Sequence, residues 1–234
     1  QETDNISQEA KDAVIKKVKS IKAVIGYPDN LTEVLDNADI KNTEDHGYYS
    51  NMVAILNSST QINAKKQFKP AEALMTSEVY SIEAVYVPFM NTIVIPAGIM
   101  RKPVYSKDYS MEKNYGGVGF VLAHELSHSV DFDNLGIDES GREIDIFSEE
   151  EIDFFAQKVA ALYSIYDGEP YINSIYANGR TTLDENFADI NGMKLVMALI
   201  REEKRSPDYE EIFETFADIF MQTSYRDYVS ALTV

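Results

Sequence analysis

A mostly helical α+β fold with one small sheet is what this sequence predicts, and three features carry that expectation. Apolar residues recur at helical spacing through several long stretches. One early segment alternates β-branched and aromatic residues around a turn. Glycine, proline and capping residues punctuate the chain between these stretches. The chain has 234 residues, 44% of them hydrophobic and 26% charged, a composition that suits an ordered protein with one good-sized core. No shift in composition marks a boundary, so residues 1–234 are expected to form one domain.

Taken in order, residues 7–25 predict a helix with Ala10, Val14, Val18, Ile21 and Ile25 on one face, stopped by Gly26 and Pro28. The stretch DNLTEVLDNADI predicts a short helix, and residues 46–68 a longer one with Tyr49, Met52, Val53, Leu56 and Ile62 as its apolar side. Two strands joined by a turn over Pro88 to Asn91 are expected within EVYSIEAVYVPFMNTIVIPAGIM. YGGVGF places glycines before the helix that carries VLAHELSHSV. Residues 148–166 predict a helix opened by Ser148, with Glu151 three positions on in a capping-box pattern. DGEPYINSIYANGR predicts a loop, and residues 183–204 and 208–223 predict the last two helices.

Composition excludes several functions. The formal net charge is −18, from 21 basic and 39 acidic residues, and such a surface repels nucleic acid and anionic lipid. The absence of cysteine removes disulfides, thiolate metal sites and cysteine nucleophiles. No apolar run approaches the roughly 20 residues that a membrane span needs. The chain begins at Gln1, which reads as a processed or excised piece; an extracytoplasmic or secreted bacterial setting is expected, with a cytoplasmic one as the alternative.

Two of the three histidines, His124 and His128, lie four apart around Glu125. On a helix residues at that spacing differ by about 40° in direction, so both imidazoles project together and can bind one small cation. Glu125 projects about 100° away, outside the coordination shell but near a bound water. A zinc hydrolase needs that arrangement: the metal acidifies water and polarises a carbonyl, and the carboxylate takes the proton. The competing reading is a surface helix that happens to carry two histidines. Against it stand the apolar flanks Val121, Leu122, Ala123, Leu126 and Val130, among which unpartnered polar groups are costly. A third protein ligand is required, and without cysteine it should be Asp or Glu. The best candidate is Glu185, with Asp189 four residues on to accept a hydrogen bond from the far nitrogen of a ligating histidine. The alternative is an acid-enriched first helical turn favoured by the helix dipole, which accounts for Asp184 and Glu185 better than for Asp189.

HELSH followed by ENFAD resembles the neprilysin and endothelin-converting-enzyme family of zinc metallopeptidases. IGYPDN, EAVYVPFMNTIVIPAGIM and YGGVGFVLAHELSHSVDFDNLG resemble family segments in the same order, so the resemblance runs from about Lys16 to Val234. It implies a thermolysin-like zinc peptidase core that holds one Zn2+ through His124, His128 and Glu185. Glu125 is implied as general base, Asp189 as the partner of His124, and Asp131 as support for His128. Peptide substrates are implied along a strand in which Ala84 and Tyr86 match the family pattern, while Glu83 stands where the family has an amide. Relative to the family, a large N-terminal helical region and an extreme C-terminal segment are expected to be missing, making this piece a catalytic domain of low activity. A zinc endopeptidase is thus the leading expectation, and a non-catalytic zinc-binding or peptide-binding module on the same fold is the alternative.

Overall fold

The structure is a computed structural model that describes residues 5–27, 32–41, 47–66, 78–172, 175–203 and 206–221. The first predicted helix is shorter than its periodicity suggested. Helix α1 spans Gln8–Lys19, and strand β1 follows at Lys22–Gly26. Ile25, placed by the helical pattern on an apolar face, is 52% exposed. From Lys22 on the chain is a strand instead: pairing with the buried strand that contains Ile95 outweighs the helical spacing that Ile25 also satisfies.

The expected pair of strands is present. Strand β2 covers Val85–Val87 and β3 covers Thr92–Pro96, with a short 3-10 turn at Pro88–Met90 and Asn91 in the left-handed region at φ 46°. Asparagine tolerates that conformation better than most residues. The sheet has the order β1-β3-β2, with β1 parallel and β2 antiparallel to β3. Every residue of the central strand is buried, which explains the unbroken apolar run TIVIP. Strand β2 lies at the sheet edge.

Helices α2 (Glu33–Asp36) and α3 (Tyr48–Lys66) occupy the expected positions; residues 46, 67 and 68 of the predicted longer helix lie outside the described residues. The apolar face assigned to α3 is largely not core: Tyr49 and Leu56 are 79% and 59% exposed, and Ile62 is buried. Helix α4 (Met111–Asn114) runs through one wide π turn at Tyr115–Gly119 into α5 (Phe120–His128). The glycines of YGGVGF form this turn, where Gly117 leaves the helical region at φ −95° and ψ −105° and kinks the path between the two helices. An added Cβ at Gly116 would lie 2.1 Å from the Ile212 carbonyl, so no larger residue fits there.

Helix α6 (Glu149–Tyr166) starts with the predicted capping box. Glu151 does more than close that box. Its carboxylate accepts from the Ser148 N–H at 2.7 Å and from the Ser7 N–H at 2.6 Å, and Ser7 is the N-cap of α1. One carboxylate thus ties together the starts of two helices, with 144 positions between Ser7 and Glu151. The segment predicted as loop contains a small antiparallel pair, β4 (Pro170–Ile172) and β5 (Ile175–Tyr176); its aromatic and β-branched residues outweigh its turn formers. Helices α7 (Leu183–Glu202) and α8 (Tyr209–Ile219) complete the described chain, and residues 222–223 of the last predicted helix lie outside it. No helix among the described residues is long and apolar enough to cross a membrane.

Helix α5 is packed on two sides. Phe120 and Ala123 join Val196, Ile200 and Ile212 from α7 and α8, while Val121, Leu122 and Leu126 pack against Tyr86, Ile93 and Ile95 of the sheet. Its most extensive packing partner is α7. The two helices approach closely at Gly192, where an added Cβ would lie 3.0 Å from the His124 nitrogen and 3.1 Å from its Cα.

Two outcomes are expected from this packing. Gly192→Val forces α7 away from α5, and overpacking of this kind costs about 1–3 kcal/mol; thermal unfolding should show a lower midpoint, and an unchanged one would refute the close approach. Glu151 provides a pH test. Hydrogen bonds from the backbone of Ser7 and then of Ser148 hold its carboxyl down to about 2, from a usual 4.5. Because the folded-state value is depressed, its contribution to stability is complete above pH 4.5 and is lost as the pH falls toward 2. Stability measured across that window should fall less steeply in Glu151→Gln than in the unmodified chain.

Candidate metal centre

Helix α5 presents His124 and His128 on the one strip not taken up by apolar packing, and the first turns of α7 bring Glu185 and Asp189 against them. Ligand atoms of His124, His128 and Glu185 all lie within 4.8 Å of one another, a group that can hold a metal ion. His124 Nε2 is 3.1 Å from His128 Nε2 and 3.3 Å from Glu185 Oε2, and His128 Nε2 is 3.6 Å from Glu185 Oε1. Both imidazole side chains are mostly enclosed, at 16% exposure, whereas the Glu185 side chain is 66% exposed. The group therefore opens toward solvent on the α7 side.

Each histidine is held from behind by a carboxylate. Asp189 Oδ1 lies 2.9 Å from His124 Nδ1, and Asp131 Oδ2 lies 2.9 Å from His128 Nδ1. With both Nδ1–H groups donating to these carboxylates, each Nε2 presents a lone pair to the other across 3.1 Å. Two facing lone pairs at that distance call for a proton or a cation between them. Burial works against the His124 cation, yet hydrogen bonds to Asp189 and Glu185, with the charges of Glu125 and Asp189, carry it up to about 9. His128 is raised too: burial opposes its charge, but the bond to Asp131 and the charge of Glu185 outweigh it. Glu185 is held below the usual range chiefly by its bond to His124.

Glu125 occupies a different environment. It is 6% exposed, and burial raises its carboxyl above the usual range even though the two histidines pull it down. The Tyr86 backbone N–H donates to it, which places it against the outer edge of β2. Asp184, which the helix dipole accounts for in the sequence, has one buried oxygen without a hydrogen-bond partner. Burial, then the charges of Asp131 and Asp133, push its carboxyl up to about 6.

The proposed substrate strand divides. Ala84 lines a cleft of about 920 Å³ with His124, Glu125, Glu185 and Asp189. Glu83 is exposed and is not among the lining residues. Tyr86 is 5% exposed, with its hydroxyl donating to Asn91 Oδ1 at 2.8 Å, so its side chain faces the core and its backbone faces Glu125. His46, the third histidine, lies outside the described residues.

Sequence reasoning missed the apolar wall of this cleft, formed by Phe120, Val121, Val104 and Phe220. Phe120 packs edge-on against Phe216 at 4.6 Å between ring centroids and sits 5.9 Å from the His124 ring. The i,i+4 spacing of Phe216 and Phe220 was the available signal, but it reads equally well as ordinary core. Lys17, 2% exposed behind the centre, left no signal at all, because Lys16 and Lys19 beside it are exposed.

The sequence model of peptidase family M13 matches residues 83–231. Neutral endopeptidase of Lactococcus lactis subsp. cremoris is 29% identical over 229 residues, which cover 97% of this chain and 36% of that protein. Endothelin-converting enzyme-like 1 of Mus musculus is 30% identical over 200 residues, covering 83% of this chain and 25% of that protein. The crystal structure of PEPO from Lactobacillus rhamnosis superposes with a TM-score of 0.79 at 28% identity, covering 97% of this chain and 36% of that one. A zinc metalloprotease of Mycobacterium tuberculosis in complex with an inhibitor shares the fold, with a TM-score of 0.75 at 22% identity over 99% of this chain and 37% of that one. The chain spans about a quarter to a third of the length of the curated relatives it matches, 36% of the first and 25% of the second. With the histidine pair, Glu185 and Asp189 all inside the matched segment, this chain belongs to peptidase family M13.

Proposed function

We propose that this chain carries the catalytic centre of a zinc-dependent endopeptidase that hydrolyses peptide bonds, with His124, His128 and Glu185 as the metal ligands. The observation that carries this reading is the convergence of two imidazole nitrogens and one carboxylate beside a buried glutamate. At the ordinary zinc–ligand distance of about 2.0–2.1 Å, tetrahedral geometry puts neighbouring ligand atoms about 3.3–3.4 Å apart. The separations of 3.1, 3.3 and 3.6 Å suit that spacing. The donor types suit zinc as well, since two histidines and one glutamate leave a fourth position open for chemistry. The relatives named neutral endopeptidase point the same way.

Bound there, zinc supplies Lewis acidity toward a water molecule and a substrate carbonyl. The remaining work falls to the chain's own residues. Asp189 and Asp131 keep the two imidazoles oriented, with Nε2 directed inward. Glu125 takes a proton from the attacking water. The burial that raises its proton affinity also suits it to hold that proton and return it to the leaving amine nitrogen. The Tyr86 N–H fixes its carboxylate while the proton moves. The outer edge of β2 offers main-chain groups to an extended peptide, a mode of binding that makes little demand on sequence. Phe120, Val121 and Val104 give the same cleft an apolar wall for a substrate side chain.

Elemental analysis should find one zinc per chain, lost in His124→Ala and in Glu185→Ala; full occupancy in both variants would sink the ligand assignment. Glu125→Gln should keep the zinc and lower peptide turnover by about 10²–10⁴. Equal turnover by that variant and the unmodified protein would remove Glu125 from its role. Stoichiometric zinc without any turnover would favour a non-catalytic zinc-binding module instead.

A further inference from the structure

Behind the metal centre, on the far side of His128 from the cleft, lies a buried charge that the chemistry above does not use. Lys17 of α1 is 2% exposed, and its Nζ donates to the Asn134 carbonyl at 2.6 Å. The backbone N–H and side-chain Nδ2 of Asn134 both donate to Asp131 Oδ1 at 2.9 Å. The other oxygen of Asp131 lies 2.9 Å from His128 Nδ1. A continuous path of hydrogen bonds therefore runs from the ammonium through one turn to an imidazole of the metal-binding group.

Asp131 is 1% exposed, and a buried carboxylate is costly unless it is paired and hydrogen-bonded. His128 cannot supply the opposing charge, because an imidazole must be neutral to ligate a metal. The Lys17 ammonium is joined to Asp131 through Asn134, and the two charges act on each other. Burial lowers the lysine pKa, and the charges of Asp131 and Asp138 pull against that shift. Arg142 already engages Asp138 at 3.0 Å.

Lys17 is also fixed from its other side. Its backbone carbonyl accepts from Asn91 Nδ2 at 3.0 Å, and the Tyr86 hydroxyl donates to the side-chain oxygen of the same asparagine. Its Nζ lies 5.9 Å from the centre of the Tyr86 ring. Tyr86 holds Glu125 through its N–H, so the lysine stands where the supports of His128 and Glu125 meet. It lies outside residues 83–231, the part of the chain that the family match covers.

We propose that Lys17 is a positioning residue for the metal centre: its buried ammonium is the counter-charge that stabilises the Asp131 anion and so holds His128 in ligating orientation. This rests on the zinc-site reading above. The test is zinc affinity by chelator competition for the unmodified chain, Lys17→Met, Asp131→Asn and the double variant, each shown to be folded by circular dichroism. Loss of an outer partner typically costs 10–100-fold in metal affinity, and a roughly tenfold loss is expected for Lys17→Met. In the Asp131→Asn background the same substitution should add no further loss, since no anion remains to be balanced. A merely structural lysine would lower affinity equally in both backgrounds, and that result would overturn the proposal. Unchanged affinity in folded Lys17→Met would overturn it as well, while leaving the zinc reading intact. Failure of the unmodified chain to bind zinc would overturn both. If Lys17→Met does not fold, Lys17→Gln removes the charge while keeping a donor, and the same losses are expected.

Discussion

The close approach of α5 and α7 is the constraint on which the candidate metal centre depends. Each helix alone carries half of a site: two imidazoles four apart on α5, two carboxylates four apart on α7. Glycine at 192 lets the second backbone come within contact distance of His124, which brings Glu185 and Asp189 into hydrogen-bond range of that same residue. The apolar cluster of Phe120, Val196, Ile200 and Ile212 keeps the two helices together. A helix packed on the sheet by one face and on α7 and α8 by another has little freedom to rotate. The strip left over, which bears the histidines and Glu125, is thereby aimed.

Environment, rather than residue type, separates the roles of the acids. Glu125 is buried beside apolar residues and its carboxyl is raised. Glu185 bonds to His124 from an exposed position and is lowered. Glu151, far from the centre, accepts from two helix starts and is lowered to about 2. Three glutamates with the same chemistry in water thus have affinity for a proton, for a cation and for backbone N–H groups respectively. The two aspartates behind the histidines add a fourth use, orienting the two imidazoles so that both Nε2 atoms face one point.

Local signals were legible wherever one rule acted alone. The capping box at Ser148 and Glu151, the turn at Pro88 to Asn91 and the helical runs in α6 and α7 all follow from spacing and capping chemistry. Reading failed where two periods fitted the same residues. Ile25 satisfies a helical face and a strand equally, and the choice between them was made by β3, seventy residues away. The segment around Pro170 to Tyr176 contained turn formers and strand formers together, and its pairing partner was itself. Tyr49 and Leu56 fitted a helical stripe that nothing among the described residues covers.

The sequence by itself determined the chemistry available to this protein: an imidazole pair at ligand spacing, a glutamate between them, a second acidic pair on another helix, and no cysteine to compete. Those follow from residue identity and helical geometry, which act over a few positions. Tertiary structure decided which carboxylate meets which imidazole, which face of Tyr86 turns to the core, and that a lysine from α1 is buried behind His128. These relations join residues far apart in the chain, and they are set by the packing of helices and strands against one another, where no local spacing rule reaches.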